Sequence, residues 1–227
     1  METPEPLSSA TEDYLKAILT IGKGEPVGTS ELAESLGVAP ASATNMTKRL
    51  TEAGLTERLP YRGATLTPAG RKVAVELIRH HRLIELYLHK ALGIPWDRVH
   101  DEAERWEHVI SEEVEARMDE ILGFPTHDPH GAPIPSAELD YEHPVRKALP
   151  SMTKGQSGRV VEVADDDPAL LRYVGELGLY PGTQFTIERG EPFDGGPITL
   201  HLASAPAVSI LVDGRAALSV FVETASV

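Results

Sequence analysis

The run His100-Asp101-Glu102-Ala103-Glu104-Arg105-Trp106-Glu107-His108 places metal-binding side chains in one register. On a helix, Glu104, Glu107 and His108 stand at i, i+3 and i+4, and His100 lies one turn earlier on the same stripe. Imidazole and carboxylate groups converging in this way suit a divalent first-row metal ion. The plain alternative is a solvated acidic face, because a charge run is usually surface. Three other places offer donors of the same kind. Asp13, in Thr11-Glu12-Asp13, is either a partner of a first-turn helix dipole or a ligand. His81 and Glu85 stand at i, i+4 in a long apolar-rich segment, where His80 and His89 are expected to be exposed. Asp128 and His130 sit in a stretch so rich in Pro, Gly and His that it must be a loop.

The elements that position these groups follow in order. Residues 1–8 read as a polar tail, and a helix starts at Ser9. A short helix opens at Thr29-Ser30-Glu31 and ends at Leu36-Gly37, and a second runs from about Pro40 to Ala53, stopped by Gly54. Helix, short Gly-containing turn and helix form a helix-turn-helix. The second helix carries Ser42, Thr44 and Asn45 near its start, then Lys48 and Arg49, an order that suits base edges first and phosphates next. Ala39 precedes it. Strands at 55–59 and 64–67 make a wing with Arg62 at its tip. Thr67 and Pro68 open a helix reaching about Leu92; it is apolar on more than one side, as expected of a central helix or a dimer interface. A single helix is expected from Pro95 to about Leu122, and an acidic, Pro-containing linker over 136–150. Beyond it, strands are expected at 159–163, 184–189, 198–202, 207–211 and 217–222, with a helix at Pro168–Leu177.

The chain has 227 residues, a length for one or two domains, and no cysteine, which excludes disulfides, iron–sulfur clusters and thiolate ligands. The net charge of -14 is uneven: between Thr44 and Lys72 six basic residues face only Glu52 and Glu57. A basic patch on an acidic chain is compatible with DNA. The start Met-Glu-Thr-Pro-Glu-Pro lacks basic and apolar regions, so a cytoplasmic location is expected. An enzyme built on a helical di-metal site would need Glu-x-x-His pairs; Arg105 precedes His108 by three and Ile78 precedes His81 by three. Nucleophile elbow, phosphate loop and dinucleotide fingerprint are all missing from the sequence.

In sum these stretches resemble the DtxR-type family of metal-dependent transcriptional repressors. The resemblance spans Thr11 to Val222. It is carried by Glu12-Asp13-Tyr14-Leu15, Arg79-His80-His81-Arg82-Leu83-Ile84-Glu85, the run from His100 to His108, Asp128-Pro129-His130-Gly131 and Leu177-Gly178-Leu179-Tyr180-Pro181-Gly182. It implies a mainly α fold with a small β domain: a winged-helix DNA-binding domain (1–72), a helical dimerisation and metal-binding domain (73–140), a linker (141–150) and an SH3-like, FeoA-like β-barrel (151–227). It implies a homodimer on a palindromic DNA operator, with metal favouring the DNA-competent form. Carried onto this chain, the primary metal site is Asp13, His81, Glu104, Glu107 and His108. Iron-sensing members have Met at the place of Asp13 and Cys at that of Glu104. Two carboxylates here match the manganese-sensing branch, so Mn(II) is the expected ion and Fe(II) the alternative. Some manganese sensors carry a second Glu one turn after the equivalent of Asp13; here that position is Lys16, which argues against a binuclear cluster of that type. A second site is implied by Glu85 and His100, the ancillary ligands of iron-sensing relatives. In some manganese-sensing relatives Asp128 and His130 serve instead, with a carboxylate chosen among Asp165, Asp166 and Asp167.

Overall fold

A computed structural model describes residues 7–189 and 196–225. Residues 1–6 of the expected tail lie outside that range. Ser8 does not: its side chain accepts a hydrogen bond from Thr11 N and caps the first helix. The order is α1 (Ser9–Gly22), α2 (Thr29–Ser35), α3 (Pro40–Glu52), β1 (Thr56–Leu59), β2 (Gly63–Leu66), α4 (Pro68–Lys90), α5 (Val99–Trp106) and α6 (Glu112–Leu122), followed by β3 (Ser157–Val163), α7 (Pro168–Glu176), β4 (Gln184–Arg189), β5 (Ile198–Leu202), β6 (Ala205–Val212), α8 (Gly214–Leu218) and β7 (Val220–Thr224). The chain divides into two compact units. Met1–His81, Trp106–Glu115 and Pro135–His143 form the first; Arg82–Arg105, Ala116–Ile134 and Pro144–Val227 form the second.

The core of the first unit joins Leu15, Ile18 and Leu19 of α1 to Leu32 of α2, Ala43 and Leu50 of α3, and Val75 and Ile78 of α4. One face of each helix therefore turns inward, and the helix-turn-helix is welded to α1 by burial of apolar area. β1 and β2 pair antiparallel from Thr56↔Leu66 to Leu59↔Gly63. Val27 bridges to Ala64 through two hydrogen bonds of 2.8 and 3.0 Å, so a third backbone segment holds the wing. Gly63 makes this approach possible: its φ is +108°, and a Cβ there would lie 2.0 Å from Val27 O.

α4 starts as expected, with Thr67 Oγ1 accepting from Gly70 N at 3.1 Å. Leu77, Ile78, Leu83, Ile84, Leu86 and Leu88 are all buried within the chain, which makes α4 a central helix. The single helix expected from Pro95 to Leu122 is two helices. The first ends at Trp106, whose carbonyl accepts from Val109 N at 3.0 Å. Ser111 then starts the next: its carbonyl accepts from Glu115 N at 2.9 Å and its Oγ from Val114 N at 3.4 Å. Glu112, Glu113 and Glu115 in that new first turn suit its dipole.

In the second unit β3 to β7 form one antiparallel sheet in the order β6-β5-β4-β3-β7. Among the described residues no ladder joins β6 to β7, so the SH3-like domain is an open sheet, not the closed barrel expected. Its core includes Val160, Leu171, Phe185, Leu200, Val220 and Trp96. The strand expected from Ala217 starts at Val220, because Asp213 caps the short helix α8 by accepting from Arg215 N. The stretch read as a linker is packed: Tyr141 belongs to the core of the first unit and Leu149 to that of the second.

Gly63→Ala forces both a left-handed backbone and a clash with Val27 O. It is expected to lower the stability of the first unit by about 2–3 kcal/mol in urea unfolding followed by circular dichroism.

Candidate metal centres and DNA-facing surface

In the first unit, α1 presents Glu12, Asp13 and Lys16 toward His81 of α4 and toward Glu107 and His108. His108 Nε2 lies 3.0 Å from Asp13 Oδ1 and 3.7 Å from Glu107 Oε1, and His108 Nδ1 lies 2.6 Å from Glu12 Oε2. Donor atoms of Asp13, Glu107 and His108 all fall within 4.8 Å of one another. His81 Nδ1 is hydrogen-bonded to Glu107 Oε2. Glu107 and His108 are not on a helical face: they follow the last residue of α5, in the turn that precedes α6. His80 holds that turn, and it is not exposed as expected. Its Nδ1 lies 3.1 Å from the Glu107 carbonyl and its Nε2 3.1 Å from Glu115 Oε2. Burial disfavours charge on His80, but these two hydrogen bonds prevail and raise its pKa. His80 and Arg79 together hold the Glu115 carboxyl below its ordinary value against the effect of burial. His89 is likewise engaged, its Nδ1 2.9 Å from Ile94 O.

Glu107 is fully buried, and Lys16 Nζ donates to both of its oxygens, at 2.9 and 2.8 Å. Neither this contact nor Glu12 emerged from sequence. Glu12 looked like a dipole partner next to Asp13, and Lys16 only like a missing carboxylate. The clue available was spacing: Glu12 and Lys16 are i, i+4 on α1, flanking Asp13. Glu104 lies on α5 in the second unit, where it pairs with His100 Nε2 at 3.9 Å.

The second unit gathers Glu85, His100, Asp128, His130 and Asp165. His130 Nδ1 lies 3.7 Å from Glu85 Oε2 and 3.8 Å from Asp165 Oδ2. His100 Nδ1 lies 3.3 Å from Glu85 Oε1 and 3.9 Å from Asp165 Oδ2. Both donor pairs drawn from the resemblance thus meet at Glu85 and Asp165. His130 is wholly buried. Its Nε2 donates to the Trp96 carbonyl at 2.7 Å, which turns Nδ1 toward the cluster. Asp128 Oδ1 accepts from His130 N at 2.8 Å and Ala132 N at 3.0 Å, which turns Oδ2 inward. Asp128 Oδ2 and His130 Nδ1 are buried and make no hydrogen bond; Arg82 Nε is 3.8 Å from the former. Buried polar atoms left this way fit a cation that has its own ligand demand.

The electrostatics agree. Burial, then the Glu85 charge, push Asp128 up to about 7. Burial opposes charge on His130, yet Glu85, Asp128 and Asp165 raise it to about 9. Gly131, at φ +92°, lets the loop meet β3, since a Cβ there would lie 2.0 Å from Val161 O. Of the three aspartates left open by sequence, Asp165 reaches the cluster. Asp167 is engaged elsewhere, capping α7 through Ala169 N and Leu170 N and pairing with Arg215 at 2.9 Å.

On the helix-turn-helix, Ser42, Thr44, Asn45, Lys48 and Arg49 are exposed along one face of α3 while Ala43, Thr47 and Leu50 are buried. Ala39 is exposed and is the N-cap position of α3. Arg62 sits on the wing with its guanidinium 3.1 Å from Glu25, beside Tyr61, which is fully exposed at φ +65°.

Three family models match in succession: "Iron dependent repressor, N-terminal DNA binding domain" over 6–64, "Iron dependent repressor, metal binding and dimerisation domain" over 67–136, and "FeoA domain" over 147–223. The iron-dependent repressor IdeR of Mycobacterium tuberculosis H37Rv is 33% identical over 219 residues, 90% of this chain and 93% of its own. The chain belongs to the DtxR/IdeR family of metal-dependent transcriptional repressors. Its members are repressors, not enzymes. The diphtheria toxin repressor of Corynebacterium diphtheriae is 35% identical over 183 residues, covering 79% of this chain and 78% of that one. Among solved structures, a manganese-dependent transcriptional repressor in complex with manganese superposes with a TM-score of 0.86 at 35% identity, over 95% of this chain and all of that one. Among the described residues, no helix is long and apolar enough to cross a membrane.

Asp128→Ala removes the acceptor for two backbone N–H groups and is expected to cost the metal-free chain about 2 kcal/mol in thermal unfolding. Asp128→Asn, which keeps Oδ1, should cost less than half of that.

Proposed function

We propose that this family member is a manganese-responsive, homodimeric repressor that binds a palindromic DNA operator and controls metal-uptake genes. In this reading residues 1–72 read DNA, 73–140 dimerise and hold metal, and 151–227 form the SH3-like domain. The primary donors are Asp13, His81, Glu104, Glu107 and His108. The observation that carries the reading is the meeting of Asp13 with Glu107 and His108. Asp13 rides on α1, whose buried face is shared with α2 and α3. An ion held by α1, α4 and the turn after α5 therefore limits where α3 points. This is linkage: whatever the ion contributes to that arrangement it also contributes to DNA affinity.

Manganese is preferred because every donor side chain is a carboxylate or an imidazole, and hard oxygen suits Mn(II) better than thiolate or thioether would. The iron-dependent relatives keep Fe(II) as the second reading, since both ions accept this set. Exposed Trp106, Val109 and Val114 support an apolar dimer surface. Glu85, His100, Asp128, His130 and Asp165 are the donors of a second ion. Ser42, Thr44 and Asn45 face bases, Lys48 and Arg49 phosphates, and Arg62 leaves Glu25 for the backbone of the DNA.

Operator-type DNA binding by the metal-free chain, titrated anaerobically with Mn(II) and with Fe(II), tests this. Mn(II) is expected to tighten binding at lower free metal than Fe(II), and His108→Ala to lose at least about tenfold of that gain, about 1.4 kcal/mol. Activation by Fe(II) at equal or lower free metal would remove the manganese assignment; no metal dependence would remove the mechanism. Calorimetric titration is expected to count two Mn(II) per chain, and one in His130→Ala.

A further inference from the structure

Lys16 already stands on one of the primary donors, Glu107, and beside a second, His81. Its ammonium lies 2.9 and 2.8 Å from the two oxygens of Glu107 and 3.3 Å from His81 Nδ1. A coordinated first-row ion sits about 2–2.5 Å from its oxygen and nitrogen ligands. An ammonium nitrogen bonded to both oxygens of one carboxylate and in reach of the imidazole occupies the same small volume. Like charges at such range repel strongly where water is scarce.

The metal-free chain needs this lysine. Glu107 has no solvent exposure, and a buried carboxylate without a counter-charge carries a large desolvation cost. Lys16 meets that demand from a flexible stem that keeps 19% of its side chain exposed, so a path to water stays open. A neutral side chain there would leave Glu107 without its counter-charge.

We propose that Lys16 is an intramolecular competitor for the metal. Its ammonium holds Glu107, which His81 also hydrogen-bonds, in the metal-free chain and must be displaced by the incoming ion, so it sets the metal concentration at which the chain responds. This rests on the assignment of Asp13, His81, Glu107 and His108 as donors. Lys16 is thus a threshold-setting residue and not itself a ligand. It also accounts for a single ion at this cluster: the turn of α1 that would supply another carboxylate supplies a positive charge.

The experiment is Mn(II) binding to the full chain, read from the free-Mn(II) electron paramagnetic resonance signal and from calorimetry, for wild type, Lys16→Met, Lys16→Gln and Lys16→Arg. Lys16→Met and Lys16→Gln are expected to bind one Mn(II) at least about tenfold more tightly than wild type, and Lys16→Arg to stay within about threefold of it. Without metal, Lys16→Met should melt below wild type and gain more in melting temperature on Mn(II) addition. Lys16→Gln keeps a donor for Glu107 and guards against a variant that fails to fold. Equal or weaker Mn(II) affinity in both neutral variants overturns the proposal, as does an arginine variant that behaves like them. His108→Ala separates the two readings. If it leaves Mn(II) stoichiometry and affinity unchanged, the donor assignment itself falls. If it removes one ion while the Lys16 variants match wild type, only the competitor falls.

Discussion

Carboxylates withdrawn from water need positive charge beside them, and that constraint shapes both units of this chain. Glu107 is met by Lys16 and Glu115 by Arg79 and His80, while His81 hydrogen-bonds Glu107, and His100 and His130 stand beside Glu85. In the first unit a lysine stands directly on the buried carboxylate. In the second unit three carboxylates gather around His130, and their mutual proximity in a buried place raises both Asp128 and His130 above their ordinary values. The same physics sets a lysine on Glu107 in one cluster and leaves Asp128 Oδ2 and His130 Nδ1 buried without a hydrogen bond in the other. The two clusters are therefore different kinds of receptor, although their residue types are nearly the same.

Much of this was legible in the sequence because local chemistry and tertiary structure agree. Thr67-Pro68 opens α4 and Gly54 follows α3 where cap chemistry says they should. The exposed and buried residues of α3 separate as the helical period requires. Donor types were readable because buried acids and histidines at helical spacing are hard to explain otherwise. The break between α5 and α6 was hidden because Trp106, Val109, Ile110 and Val114 keep a helical apolar rhythm across it. What ends α5 there is a serine competing as a cap and a histidine on α4 holding the Glu107 carbonyl, and the second of these is a contact between remote residues. Ala217 and Leu218, the end of α8, read as strand in the sequence because two residues show no period, and Asp213 as a cap outweighs them. Glu12 and Lys16 were visible only as neighbours of Asp13; their partners lie some 65 to 96 positions away in the chain.

The likeness to known proteins leaves the ion open, since iron-dependent and manganese-dependent repressors resemble this chain at similar identity. The decision falls to individual donor atoms. With no sulfur among them, softness cannot be used to favour iron, and discrimination has to come from coordination number and from the charge already standing in the site.

The loop at Asp128–Gly131 gives the sheet domain a meaning beyond its family label. Val163 N donates to His130 O at 2.9 Å, Gly131 admits Val161 O, and Asp165 follows directly on β3. Strand, loop and acid are built as one piece. In the proposed reading the C-terminal sheet supplies ligands and is not cargo appended to a finished sensor. A chain cut before residue 147 would forfeit both Asp165 and the strand that seats His130. Under that reading, gain or loss of this domain over evolutionary time would alter how many ions are counted before the switch is thrown, leaving the helix-turn-helix itself unchanged.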